Sequence, residues 1–130
     1  MHLSIYILFG ILPSLIWLFY YLRKDLHPEP KRTILKLFFY GAILTVPVFL
    51  VQLGLSQILN QVKISGILDG WPIIADVIKW FIVIALTEEF LKYFVVRQVI
   101  IEESTLDEPL DIMLYMVVVA LGFAAVENML

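Results

Sequence analysis

Long apolar runs separated by short polar segments dominate the chain. Two of these runs contain no charged residue, at residues 3–22 and 37–62. A helix needs about 20 apolar residues to cross the hydrocarbon of a bilayer. Each run is long enough for this, and we expect membrane spans at about 3–22 and 37–58.

A third apolar stretch contains charged residues wherever a span is placed. Its longest charge-free run, residues 80–87, would make about 12 Å of helix, whereas the hydrocarbon is about 30 Å thick. The pattern predicts one helix over about 73–101, with Glu88 and Glu89 well inside it. A fourth span is predicted at about 110–130. Pro109 suits the first position of its helix, because a backbone N–H has no intrahelical partner there.

Composition agrees with this pattern. Hydrophobic residues make up 62% of the 130 residues and charged residues 16%, whereas a soluble domain has about 45–50% apolar and about 25% charged residues. We therefore expect an all-α membrane protein with about four transmembrane helices, forming a single polytopic domain over residues 1–130. Because the sequence stops on an apolar residue without a charged anchor, we expect this domain to be incomplete at its C-terminus and part of a larger helical bundle.

Positive charge is concentrated around the first polar segment. Five of the nine basic residues lie there: Arg23, Lys24, Lys31, Arg32 and Lys36. Since cytoplasmic loops carry an excess of Lys and Arg, we expect a multi-pass protein of the cell membrane, with its N-terminus outside and its first loop in the cytoplasm. The net charge of −3 gives no reason to expect a nucleic-acid partner.

Missing residue types exclude several kinds of chemistry. The chain has no cysteine, which excludes disulfides and thiolate chemistry. Its two histidines, His2 and His27, lie outside the predicted spans. The residues inside the spans therefore cannot assemble a histidine-based metal site.

A cluster of ionisable residues lies well inside the third predicted span and consists of Glu88, Glu89 and Lys92. On a helix, Lys92 is three or four residues from either carboxylate and its ammonium can reach both. Ionisable groups inside a membrane are costly and usually functional, and a carboxylate there can take a proton from water as a general base. The alternative is a structural ion pair, or the interfacial end of a short span.

The fourth predicted span carries a second polar group. Phe123 and Glu127 are four residues apart and share a helix face, Asn128 adds an amide, and Gly122 permits close approach of another helix. These residues could meet the third-span carboxylates in one polar pocket, or they could be the polar end of the span. Counted from the turn between the spans, Glu127 lies roughly 6 Å farther along its helix than Glu88 does along its own.

These residues form two motifs that resemble those of the PrsW family of intramembrane proteases, a family distantly similar to CAAX prenyl proteases. The stretch EEFLK, from Glu88 to Lys92, matches the motif EExxK, and FAAVEN, from Phe123 to Asn128, matches FxxxEN. The loop YLRKDLHPEPKR also resembles PrsW sequences, and it precedes the two motifs as it does in that family. Ile112 stands where the family has a glycine, which weakens any role for Asp111.

The resemblance implies hydrolysis of a peptide bond in or near a membrane-spanning protein substrate, for example an anti-sigma factor, at the lipid bilayer. Glu88 or Glu89 would activate water, Lys92 would orient them or balance their charge, and Glu127 would complete the site as a candidate metal ligand. Supporting roles fall to Lys92 and to the phenylalanine and asparagine of the second motif. A divalent metal, with zinc as the candidate, is implied by the family alone.

Two alternatives remain open. The carboxylates Glu88, Glu89 and Glu127 could relay protons in a proton- or ion-coupled transport element, or the chain could be a membrane scaffold without catalysis. The family also has later spans with histidine motifs, which are absent from these 130 residues. We therefore expect the 130-residue chain alone to be inactive as a protease.

Overall fold

The computed structural model describes residues 2–24, 30–66, 70–102 and 109–129, which are helical apart from short turns. The predicted all-α class is confirmed, and no strand occurs within these ranges. Residues 25–29 of the first loop, residues 67–69, and residues 103–108 between the third and fourth predicted spans lie outside the described residues. The helices are α1 (His2–Lys24), α2 (Lys31–Ile64), α3 (Pro72–Val77), a π-helix (Ile78–Leu86), α4 (Thr87–Glu102) and α5 (Pro109–Glu127).

Residues 72–102 form one helical segment with a π-helix in its middle. The junction residues Val77, Ile78 and Thr87 all have right-handed helical backbone angles, so α3, the π-helix and α4 follow one another without a break. In a π-helix the hydrogen bonds join residues five apart instead of four. The side chains before and after it are therefore out of phase with a simple 3.6-residue repeat.

Apolar side chains are exposed on all the long helices. Within the described residues, one segment is both long and apolar enough to cross a membrane, Lys31–Lys63, and Ile7–Arg23 is a shorter apolar helix. Large hydrophobic side chains such as Phe9, Phe49 and Phe81 are more than half exposed. A helix that is hydrophobic all round belongs in a protein core or in lipid. The count of four spans is not established by these features and remains a prediction.

The described chain divides into two compact units. Unit 1 comprises Met1–Thr45 and Lys92–Leu130, and unit 2 comprises Val46–Leu91. The core of unit 1 combines residues from α1, the first half of α2, the second half of α4, and α5. Its buried members are Leu18, Ile34, Leu37, Val96, Val99, Tyr115, Val118 and Val119.

Two glycines allow α2 and α5 to touch through their backbones within unit 1. A Cβ atom built on Gly41 would lie 2.1 Å from the carbonyl oxygen of Val119. A Cβ atom built on Gly122 would lie 2.0 Å from the carbonyl oxygen of Phe38. Since no side chain fits at these distances, glycine is required on both helices, and the close approach predicted at Gly122 is confirmed.

Unit 2 holds the second half of α2, α3, the π-helix and the start of α4. Gly66, with φ of 81°, lies in the turn that ends α2, a conformation that glycine adopts without steric cost. The Lys63 ammonium lies 4.0 Å from the Asp76 carboxylate, and the Lys79 ammonium lies 5.7 Å from the centre of the Trp80 ring. These four residues are partly or fully exposed, so the contacts are those of a surface and contribute little to stability.

Candidate functional site

The first motif begins where the π-helix ends. Glu88 and Glu89 lie in the first turn of α4. The Thr87 hydroxyl beside them donates a hydrogen bond of 3.4 Å to the carbonyl oxygen of Ile82, five residues earlier. That bond has the residue separation of the π-helix itself, so the threonine side chain supports the junction between the two helix types.

Within unit 2, Glu88 is half-buried and bonded to a neighbouring helix. Its Oε1 accepts a hydrogen bond of 3.1 Å from Nε2 of Gln52, which lies on α2, 36 residues earlier in the chain. Glu89 is exposed, as expected for a residue turned by about 100° around the helix from Glu88. The two carboxylates therefore have different surroundings.

Gln52 is a residue that sequence reasoning missed. It lies in the uncharged run of the second predicted span, between Val51 and Leu53. A side-chain amide in such a run needs a hydrogen-bond partner, because an unsatisfied polar group in hydrocarbon is costly. This requirement could have identified Gln52 as a residue of interest from the sequence, but it does not identify Glu88 as its hydrogen-bond partner.

Within unit 1, the two motifs meet at Lys92 and Phe123. The Lys92 ammonium lies 4.5 Å from the centre of the Phe123 ring. Both side chains are buried, with 8% and 2% of their surface exposed. A cation held over an aromatic face is stabilised by the ring quadrupole, by about 2 kcal/mol where both groups are desolvated. The lysine of EExxK thus contacts the phenylalanine of FxxxEN.

The second motif ends at the last turn of α5, where it contacts α1. Glu127 is the last residue of the helix and is exposed. The Asn128 amide donates a hydrogen bond of 3.4 Å to the carbonyl oxygen of Gly10. A Cβ atom built on Gly10 would lie 3.0 Å from the Asn128 carbonyl oxygen, so α1 passes close to this end. Asn128 therefore ties the second motif to the first helix.

The predicted site residues are divided between the two units. Lys92, Phe123, Glu127 and Asn128 belong to unit 1, as does the buried Asp111. The glutamates of the first motif belong to unit 2. The structure thus brings together the lysine and the phenylalanine, and separately the asparagine and α1. The meeting of all three carboxylates remains a prediction.

The residues that the structure describes do not by themselves form a metal centre. Among them, no group of three or more His, Cys, Asp or Glu side chains is close enough to hold a metal ion. Glu88, Glu89 and Glu127 offer carboxylate oxygens, which bind divalent cations, but a zinc site usually combines such oxygens with His or Cys ligands. The donor set does not fit a complete site.

Comparisons with a family model and with curated proteins identify the same family. Residues 29–130 match the sequence model of a family described as PrsW family intramembrane metalloprotease. The chain is 36% identical over 121 residues to a protein named Protease PrsW from Oceanobacillus iheyensis, covering 93% of the chain and 51% of the relative. It is 32% identical over 122 residues to a protein of the same name from Geobacillus kaustophilus, covering 93% and 49%.

A third relative shows the same proportions. The chain is 33% identical over 130 residues to Protease PrsW from Clostridioides difficile, covering 99% of the chain and 50% of the relative. The chain thus spans about half the length of the curated relatives it matches. No solved structure matches it.

Proposed function

Because the chain belongs to the PrsW family of intramembrane metalloproteases, we propose that it carries acid–base residues of a membrane-embedded peptidase. The reaction is hydrolysis of a peptide bond in or near the membrane span of a protein substrate. An anti-sigma factor anchored in the membrane is the candidate substrate, on family resemblance alone.

The contact between Lys92 and Phe123 is the observation that carries this proposal, since it joins the two motifs. Its distance is 4.5 Å from ammonium to ring centre. Glu88 lies one helical turn before the lysine, and Glu127 lies one turn after the phenylalanine. The connection from α4 to α5, at 103–108, is short, which favours antiparallel neighbours. In an antiparallel pair, Glu88 and Glu127 are both displaced from the Lys92–Phe123 contact by one turn, in the direction away from the connection. This supports a shared site for the carboxylates.

The proposed chemistry needs only water and these side chains for its proton transfers. Glu88 or Glu89 takes a proton from a water molecule while the water oxygen bonds to the substrate carbonyl carbon. The bond from that carbon to the amide nitrogen then breaks, and the proton passes to the leaving nitrogen. Lys92 balances negative charge beside the glutamates, and Glu127 completes the site from the second motif.

A metal enters this proposal only through the family description. A divalent cation, with zinc as the candidate, would supply a polarising charge at the scissile carbonyl when bound. Glu127 would be its candidate ligand from this chain. Since the described residues do not form a metal centre, the steps above involve this chain's side chains alone.

We propose that the protein lies in the cell membrane and that its chain crosses the membrane several times. The spans are those predicted at about 3–22, 37–58, 73–101 and 110–130, with the N-terminus outside and the first loop in the cytoplasm. Because the chain has no cysteine, single cysteines introduced at positions 27 and 66 can be labelled from either side of intact cells. We expect position 27 to react only after the membrane is permeabilised and position 66 to react from outside. Labelling of both from one side would contradict the topology.

The function is tested by a cleavage assay on the protein encoded by the complete gene that contains this sequence, called the full-length protein below. The variants Glu88→Gln, Glu89→Gln and Glu127→Gln are compared with Asp76→Asn, whose carboxylate is exposed and lies outside the motifs. Loss of a general base lowers the rate by about 100-fold or more. We expect such losses at Glu127 and at one or both glutamates of the first motif, and an unchanged rate for the control.

Two results would contradict the proposal. Cleavage of a membrane-anchored reporter that persists in the double variant Glu88→Gln, Glu89→Gln would exclude the general-base role. A proton flux across vesicles that these variants abolish, with cleavage untouched, would favour transport instead. The 130-residue chain alone is expected to cleave nothing in lipid.

A further inference from the structure

One hydrogen bond in unit 2 joins a polar side chain of α2 to the first motif. The Gln52 amide nitrogen lies 3.1 Å from Oε1 of Glu88, and both side chains are half-buried. Neighbours of Gln52 along α2 are apolar, at Val51 and Leu53. Burying a side-chain amide among apolar residues costs free energy unless its N–H donates a hydrogen bond. The Glu88 carboxylate accepts that hydrogen bond.

An amide donor has a particular effect on a carboxylate. The terminal torsion of a glutamate is broad and roughly two-fold, so an unrestrained carboxylate samples many orientations. A hydrogen bond from a neutral amide to an ionised oxygen fixes that orientation without cancelling the negative charge.

The two adjacent carboxylates differ in burial. Glu89 is exposed, whereas Glu88 is half-buried and held by a residue 36 positions away. The bond therefore connects Glu88 to a second helix of the same compact unit, Val46–Leu91.

We propose that Gln52 is a positioning residue that orients the Glu88 carboxylate for proton transfer. The inference rests on the proposed protease function and deepens it, because it adds a residue outside both motifs to the site. Gln52 acts through Glu88, and no contact with the substrate is required of it.

The activity test uses Gln52→Leu, which removes the donor and keeps an apolar side chain of similar size, in the full-length protein. Gln57→Leu is the matched control, because Gln57 lies on the same helix and is exposed. Removal of a hydrogen bond to a charged group corresponds to a fall of about 10- to 100-fold. We expect that fall in kcat with KM unchanged, and no change for the control.

A second variant, Gln52→Glu, separates positioning from packing. The new side chain has the same shape as glutamine but donates a hydrogen bond only when protonated. We expect little activity at neutral pH and partial recovery at acidic pH, where the new carboxyl can donate to Glu88. Loss of activity that does not depend on pH, or wild-type activity in both Gln52 variants, would overturn the inference.

A spectroscopic measurement keeps this inference distinct from the protease function. Infrared difference spectra between the 130-residue chain and its Glu88→Gln variant isolate the carboxylate bands of Glu88, and Gln52→Leu is expected to shift them while Gln57→Leu is not. Unshifted bands would overturn the positioning role whatever the activity. If the bands shift but the double variant Glu88→Gln, Glu89→Gln still cleaves substrate, the proposed general-base function fails while the contact stands.

Discussion

Substitution of Gly41 by alanine is a direct test of how α2 and α5 pack. A Cβ atom at this position would lie 2.1 Å from the Val119 carbonyl oxygen, whereas real Cβ contacts do not fall below 3.0 Å. The two backbones would have to separate by at least about 0.9 Å. Because the atom in the way belongs to the backbone and not to a flexible side chain, the strain cannot be relieved by a rotamer change.

The expected cost follows from overpacking. Inserting a methyl group into a tightly packed site costs about 1–3 kcal/mol, which outweighs the gain of up to about 1 kcal/mol when alanine replaces glycine in a helix. Gly54 on the same helix is the matched control, since a Cβ atom there would meet nothing within 4 Å. We expect Gly41→Ala to lower the free energy of unfolding relative to Gly54→Ala by about 1–3 kcal/mol.

The assay is reversible unfolding of the chain in mixed micelles, followed by the helical circular dichroism signal. A double variant with Gly122→Ala provides a second check. Its Cβ atom would clash with the Phe38 carbonyl oxygen at the same crossing, and one separation of the helices relieves both clashes. The double variant should therefore lose less stability than the sum of the two single losses. Equal stabilities for Gly41→Ala and Gly54→Ala would refute the backbone contact.

Three further predictions concern polar groups in the two units. A double-mutant cycle with Lys92→Met and Phe123→Leu should give a coupling free energy of about 0.5–2 kcal/mol, measured by unfolding, and a coupling near zero would deny the cation–π contact. The buried Thr45 hydroxyl has no hydrogen-bond partner among the described residues, so Thr45→Val should be neutral or stabilising by up to about 1 kcal/mol, and a clear destabilisation would indicate a partner. Neutralising the exposed pair by Lys63→Gln or Asp76→Asn should change the unfolding free energy by less than about 1 kcal/mol, and a larger loss would mean that the pair is shielded from solvent.

Much of the helical architecture follows from the pattern of apolar residues. The runs of uncharged residues predicted α1 and α2, and a proline at a loop end predicted the start of α5 at Pro109. A helix expected over about 73–101 is observed as helical structure from Pro72 to Glu102. Its π-helix was not predicted, because the apolar segment IKWFIVIAL has no residue that marks a change from four- to five-residue hydrogen bonding.

The candidate site was only partly predictable. Helical spacing identifies which residues share a face, and it gave Glu88, Lys92, Phe123 and Glu127 from two motifs. It does not say which faces meet, so the contact of Lys92 with the ring had to be observed. Gln52 was missed for the same reason, since its partner lies 36 residues away and no local pattern links the two.

The most direct test of the central claim is the distance between positions 88 and 127. The chain has no cysteine of its own, so the pair Glu88→Cys, Glu127→Cys can be treated with a short bifunctional reagent in lipid, with Asp76→Cys, Glu127→Cys as control. Neighbouring helices lie about 8–10 Å apart, and the account predicts efficient cross-linking of the first pair and little of the second. Cross-linking of the 88–127 pair no greater than that of the control would contradict a shared carboxylate site.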